Sequence, residues 1–110
     1  MTAPITIAAD TEGVTLVNVY DVAPGGAQAL VARLEEVTRD VIAAEPGFVS
    51  VSLHVALDGT KVVNYAQWAS AGAFQAFMAK PETRDMLGGF AALATSVSPG
   101  LYHVAGVVTA

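Results

Sequence analysis

Asn18 sits in the middle of an apolar run, Val14-Thr15-Leu16-Val17-Asn18-Val19-Tyr20-Asp21-Val22. Asn64 sits in the middle of a second one, Lys61-Val62-Val63-Asn64-Tyr65-Ala66-Gln67-Trp68. Both runs are β-branched and aromatic, so both read as strands. A polar group buried in such a strand costs roughly 1–3 kcal/mol unless it is paired. Trp68 follows Asn64 by four residues and therefore shares its face. Two amides and an indole N–H in an apolar setting suit a flat, oxygen-bearing molecule and the stabilisation of an oxyanion. The plainer alternative is that the two amides satisfy each other and the indole is core.

Other residues with chemical potential are fewer. His54 and His103 are the two histidines and there is no cysteine. A thiolate metal site and a disulfide scaffold are thereby excluded. Tyr20, Tyr65 and Tyr102 lie in strand-like segments, and a hydroxyl from one of them could reach a pocket. Arg84 lies near Glu82 and Asp85, as in a solvated helix face. Phe74, Phe77, Met78, Met86, Leu87 and Phe90 form an aromatic and methionine stripe. Such a stripe is usually core, but Pro81 and Gly88-Gly89 interrupt it, so the pieces could part to admit a flat ligand. No Ser-His-Asp set, phosphate loop or paired-carboxylate site is present, and no cofactor is announced.

Around these residues the chain reads as one domain. It has 110 residues, 54% apolar and 14% charged, with a net charge of −5. That balance excludes disorder and argues against nucleic acid or an anionic membrane as partner. No targeting segment or membrane span is visible, and a cytoplasmic protein is expected. Residues 1–12 show neither helical nor strand period and read as a flexible arm before a domain over 13–110.

After the first strand, Pro24-Gly25-Gly26 marks a stop. Ala27, Leu30, Val31, Leu34, Val37, Val41 and Ile42 recur at helical spacing, predicting a helix of about five turns. Glu45-Pro46-Gly47 closes it. Residues 48–57 alternate, with Val49, Val51, Leu53, Val55 and Leu57 on one face and Phe48, Ser50, Ser52, His54 and Ala56 on the other. Asp58-Gly59 is a strong hairpin signal leading into the Asn64 strand. Ser70 can cap a helix carrying Phe74, Phe77 and Met78. A further helical piece runs from Pro81 and is loosened at Gly88-Gly89. Ser98-Pro99-Gly100 reads as a turn before a last strand over 101–108.

The order β-α-β-β-α-β with right-handed connections gives an antiparallel sheet in the order 4-1-3-2, both helical layers on one face: a ferredoxin-like α+β fold. The Asn18 and Asn64 strands are then neighbours. The two histidines fall on the outer strands, about three spacings of ~4.8 Å apart, too far to chelate one metal. The free sheet face is apolar, and a second copy is the economical cover, giving a dimeric α/β barrel.

The stretch Val63-Asn64-Tyr65-Ala66-Gln67-Trp68, together with Pro46-Gly47-Phe48 and Val17-Asn18, resembles the antibiotic biosynthesis monooxygenase family over about residues 14–108. The likeness is greatest to its anthrone-oxidising members from aromatic polyketide pathways. That resemblance implies a homodimeric, cofactor-free enzyme that oxidises an anthrone to a quinone with O₂ through a carbanion or phenolate of the substrate. It places the working residues at Asn18, Asn64 and Trp68. The substrate wall is expected at Tyr20 and Tyr65 of the strands and at the stripe Phe74, Phe77, Met78, Met86, Leu87 and Phe90, with Arg84 standing in for the family's arginine. Two departures stand out. The actinorhodin type has a tyrosine where Phe74 stands and an arginine near Leu87, where Arg84 is a turn away. The haem-degrading branch would need a histidine near Leu87. Two other readings stay open: a reduced-flavin-dependent ring-cleaving oxygenase or polyketide cyclase on the same barrel, and a non-catalytic ligand-binding dimer.

Overall fold

Strand β1 (Val14–Asp21) leads to helix α1 (Ala27–Asp40) and a short 3₁₀ turn at Ile42–Ala44. A hairpin of β2 (Phe48–Val55) and β3 (Lys61–Trp68) follows, then helices α2 (Ala71–Met78) and α3 (Pro81–Ala91), and finally β4 (Ser96–Tyr102). This computed structural model describes residues 3–110. The strands form one antiparallel sheet in the order β2-β3-β1-β4, which is the expected ferredoxin-like arrangement. Among the described residues, no helix is long and apolar enough to cross a membrane.

Local chemistry accounts for most of the boundaries. Gly59 takes a positive φ of 75° in the hairpin, and the Asp58 carboxylate accepts from the Thr60 amide and hydroxyl. Gly47 has φ 83°, and a Cβ there would come within 2.4 Å of the Ala73 methyl, so the approach of β2 to α2 requires glycine. The Ser70 hydroxyl accepts from the Ala73 N–H and caps α2, as its position suggests. Pro81 stands in the first turn of α3, where its missing N–H is harmless. The buried Thr83 hydroxyl donates to the Phe77 carbonyl oxygen at 2.7 Å and ties the end of α2 to α3.

Three expectations need correction. The last strand is Ser96–Tyr102, not 101–108, and Pro99-Gly100 lies inside it. Proline is tolerated there because β4 is an edge strand. The register shifts between Phe48 and Ser50, so Phe48 pairs with Trp68 and packs with the core, while Val49 is exposed. Gly88-Gly89 does not break the helix, because α3 continues to Ala91 and the Ala92 N–H still reaches the Gly88 carbonyl at 3.0 Å.

The core lies between the sheet and the helices, around Tyr20, Leu30, Leu34, Val62, Trp68, Phe77 and Phe90. Residues 3–12 form no helix or strand, and the Gln67 amide N–H₂ donates to the Thr6 carbonyl oxygen at 2.8 Å. Residues 1 and 2 of the expected arm lie outside the described residues.

Candidate active site

Antiparallel pairing places Asn18 directly opposite Asn64. Leu53 of β2 stands beside Asn64, and Pro99 of β4 stands beside Asn18, so the two amides form the centre of one row across the sheet. The next helix-facing rows are Val51, Ala66, Leu16 and Leu101 on one side, and Val55, Val62, Tyr20 and Val97 on the other. The amides do not bond each other. Both Oδ1 atoms are buried, and among the described residues neither has a hydrogen-bond partner. Each therefore carries the full desolvation cost of a bare acceptor, about 1–3 kcal/mol.

The row opens into two cavities beneath the helices. The outer one, of about 430 Å³, is walled by Leu16, Asn18 and Tyr20 of β1, by Val97, Pro99, Gly100 and Leu101 of β4, and by Phe74, Phe77, Met78, Leu87 and Ala91 of the helices. That volume suits a small organic ligand. The inner one, of about 30 Å³, shares Asn18 and Tyr20 and adds Asn64 and Trp68, with Leu34, Thr38 and Phe90 among its walls. It is large enough for one or two atoms. Among the described residues, neither wall includes a charged side chain.

Trp68 is held rigidly. Its ring stacks on Phe77 at 5.0 Å and meets Phe48 and Phe74 edge-on at 5.7 and 5.9 Å. Tyr20 is 2% exposed, and burial pushes its phenol up from 10.0, while a hydrogen bond from the Asn18 side chain opposes the shift.

Of the residues expected at the site, Asn18, Asn64, Trp68, Tyr20, Phe74, Phe77, Met78, Leu87 and Phe90 all line these cavities. Three do not. Tyr65 is one residue from Asn64, so the pleat turns it to the opposite face, into a shallow groove with Val17, Tyr102 and His103. Arg84 is exposed, because Thr83, Leu87 and Phe90 form the inward stripe of α3. Met86 packs half-buried against the core without reaching either cavity. The β4 wall lies in the stretch whose Ser98-Pro99-Gly100 carries a turn signal, which hides it in the sequence. Leu16, absent from the expected wall, also lines both cavities, and simple alternation with Asn18 is the signal that points to it.

The model of the antibiotic biosynthesis monooxygenase family matches residues 13–88. The chain belongs to that family. The tetracenomycin F1 monooxygenase of Streptomyces glaucescens is 47% identical over 76 residues, 69% of this chain and 68% of that protein. Among solved structures, the monooxygenase ActVA-Orf6 of Streptomyces coelicolor, in complex with nanaomycin D, superposes with a TM-score of 0.81. It is 28% identical, over 89% of this chain and 92% of the other. SnoaB, a cofactor-independent oxygenase of Streptomyces nogalater, superposes as a point variant with a TM-score of 0.73. It is 27% identical, over 89% and 98% of the two chains. As a family member, the chain carries its asparagine pair and tryptophan on the two central strands of the monooxygenase fold.

Proposed function

We propose that this family member is a cofactor-independent monooxygenase that oxidises a polycyclic phenolic polyketide, of the anthrone type, with dioxygen. The observation that carries the reading is the pair of buried Oδ1 atoms of Asn18 and Asn64, bare among the described residues, with Asn18 on the walls of both uncharged cavities and Asn64 on the wall of the inner one. Each bare Oδ1 can accept from a phenolic hydroxyl, and the amide N–H₂ groups and the Trp68 N–H can donate to an oxyanion. A tetracenomycin F1 enzyme among the relatives and a nanaomycin D complex among the structural neighbours support the substrate class.

Ground-state dioxygen is a triplet and reacts slowly with closed-shell molecules. An anthrone anion is delocalised over carbon and oxygen and can give one electron to dioxygen. Recombination of the two radicals forms a peroxide, and loss of water leaves the quinone. The protein's part is to bind the rings, favour the anion and exclude bulk water. Hydrogen bonds to a charged oxygen contribute about 1.5–3 kcal/mol each toward the anion. The working unit is proposed to be a homodimer closed through the other sheet face, where Val17, Val19, Val63 and Tyr65 lie on the central strands.

The test is oxygen uptake with an anthrone and no additive. One dioxygen consumed per quinone formed is expected. Turnover that requires reduced flavin would move the protein to the ring-cleaving class. Tight binding without oxygen uptake would make it a ligand-binding barrel.

A further inference from the structure

We propose that Tyr20 is the proton shuttle of this oxidation, protonating the peroxide and then removing the remaining proton from the oxidised carbon. The assignment rests on the anion-and-dioxygen reading above. Its own ground is the inventory of the site. Among the described residues, twelve wall the outer cavity, and of these only Asn18 and Tyr20 bring a polar side chain to it. The inner cavity adds Asn64, Trp68 and Thr38. Amide, indole and aliphatic hydroxyl groups hold their protons far outside the working range of an acid or base. Among the described residues, the Tyr20 phenol is thus the group on either wall whose proton is most easily moved. The carboxylates and basic groups of α3 lie on its exposed side, with Glu82, Arg84 and Asp85 all exposed.

Tyr20 is also well placed. It stands two residues from Asn18 on the same face of β1 and walls both cavities. Burial keeps its phenol protonated at neutral pH, as a donor must be, and the Asn18 amide can steady the transient phenolate.

The steps balance. The substrate methylene loses a proton to solvent, and the carbanion adds dioxygen to give an alkyl peroxide anion. The Tyr20 O–H protonates the terminal oxygen, leaving a hydroperoxide and a phenolate. The phenolate removes the proton still on that carbon. The C–H electron pair becomes the second C–O bond, the O–O bond breaks and hydroxide leaves. Hydroxide and the first proton make the water. Tyr20 ends as it began, and the quinone keeps one oxygen atom of the dioxygen.

The test is Tyr20→Phe, which keeps the ring and removes the proton, assayed with an anthrone and isotopically labelled dioxygen. Quinone formation is expected to fall about a hundredfold. A substrate hydroperoxide carrying both labelled atoms should accumulate and be seen by mass spectrometry. Quinone formed at the parental rate overturns the assignment. So does a raised KM or lowered Tm with no accumulated hydroperoxide, which marks a packing role. A parent protein that consumes no dioxygen overturns the oxidation itself, and the shuttle with it. A second measurement needs no altered fold. Replacing tyrosine throughout with a fluorinated analogue lowers the phenol pKa, and Tyr65 and Tyr102 lie on the other face. The alkaline limb of kcat should move to lower pH. An unmoved limb overturns the assignment.

Discussion

Asn18 and Asn64 face each other across the β1–β3 ladder, and neither side-chain oxygen has a partner among the described residues. Two bare acceptors side by side are a cost to folding that a ligand can relieve. Stability and turnover are therefore expected to move in opposite directions at this pair.

Asn64→Leu should raise the unfolding free energy by about 1 kcal/mol or more, since it removes a bare buried acceptor and adds apolar contact. The same change should abolish most turnover. Urea denaturation and oxygen uptake on one preparation check both halves, and a variant that loses stability as well as activity contradicts the argument.

Trp68→Phe keeps the aromatic packing against Phe48, Phe74 and Phe77 and removes the indole N–H. Turnover should fall by about tenfold to a hundredfold, with kcat falling more than KM rises. Steady-state kinetics with an anthrone would show the split, and unchanged kcat would assign the indole to packing alone.

Thr83→Val deletes the hydroxyl that donates to the Phe77 carbonyl oxygen and leaves that oxygen bare at the α2–α3 junction. A loss of about 1–3 kcal/mol is expected, with Thr83→Ser retaining most of the bond. Chemical denaturation of the two variants distinguishes the hydrogen bond from the volume change.

Gly88→Ala and Gly89→Ala sit inside a continuous helix, and an added methyl at either meets nothing within 4 Å. Each should add about 0.5–1 kcal/mol of stability. Amide hydrogen exchange in α3 should slow accordingly. Leu87 and Ala91 of the same helix wall the outer cavity, so stiffening is expected to slow ligand entry in stopped-flow binding.

Hydrogen bonds from Lys61 and Ser96 hold the exposed Asp21 carboxyl below its ordinary value of 3.8. Its folded-state pKa is depressed, so the stabilisation is present above the unfolded value and is lost as pH falls through the folded one. Asp21→Asn should therefore flatten the decline in Tm below about pH 4 while changing little of the curve's shape near neutrality. Melting scans across that range decide it.

The topology was legible because local signals agreed. Asp58-Gly59 defined the hairpin, the helical spacing of Leu30, Leu34 and Val37 defined α1, and right-handed crossover then made β1 and β3 neighbours. From that order and the alternation of the pleat, the adjacency of Asn18 and Asn64 followed. What failed were residues that obey one rule locally and another in context. Pro99-Gly100 carries a turn signal, yet an edge strand accepts both. Phe48 changes face because of one irregularity in register. Thr83 reads as a surface residue of a helix, and only the packed junction shows that its hydroxyl is buried. Arg84 and Tyr65 are of suitable type, but the rotation of α3 and the pleat of β3 place them elsewhere.

The site also divides its labour by element. The hydrogen-bonding groups Asn18, Tyr20, Asn64 and Trp68 stand on the two central strands, where a change of register would disturb every row of the sheet. The hydrocarbon wall opposite them comes from α2, α3 and the edge strand β4. Met78 and Leu101 on that wall are each 43% exposed, so replacing them disturbs little of the core. Under the proposed function, such a scaffold can drift toward larger, smaller or differently decorated rings one side chain at a time while the polar groups of the central strands stay fixed. On the proposed function, selectivity and chemistry are inherited on separate parts of the chain.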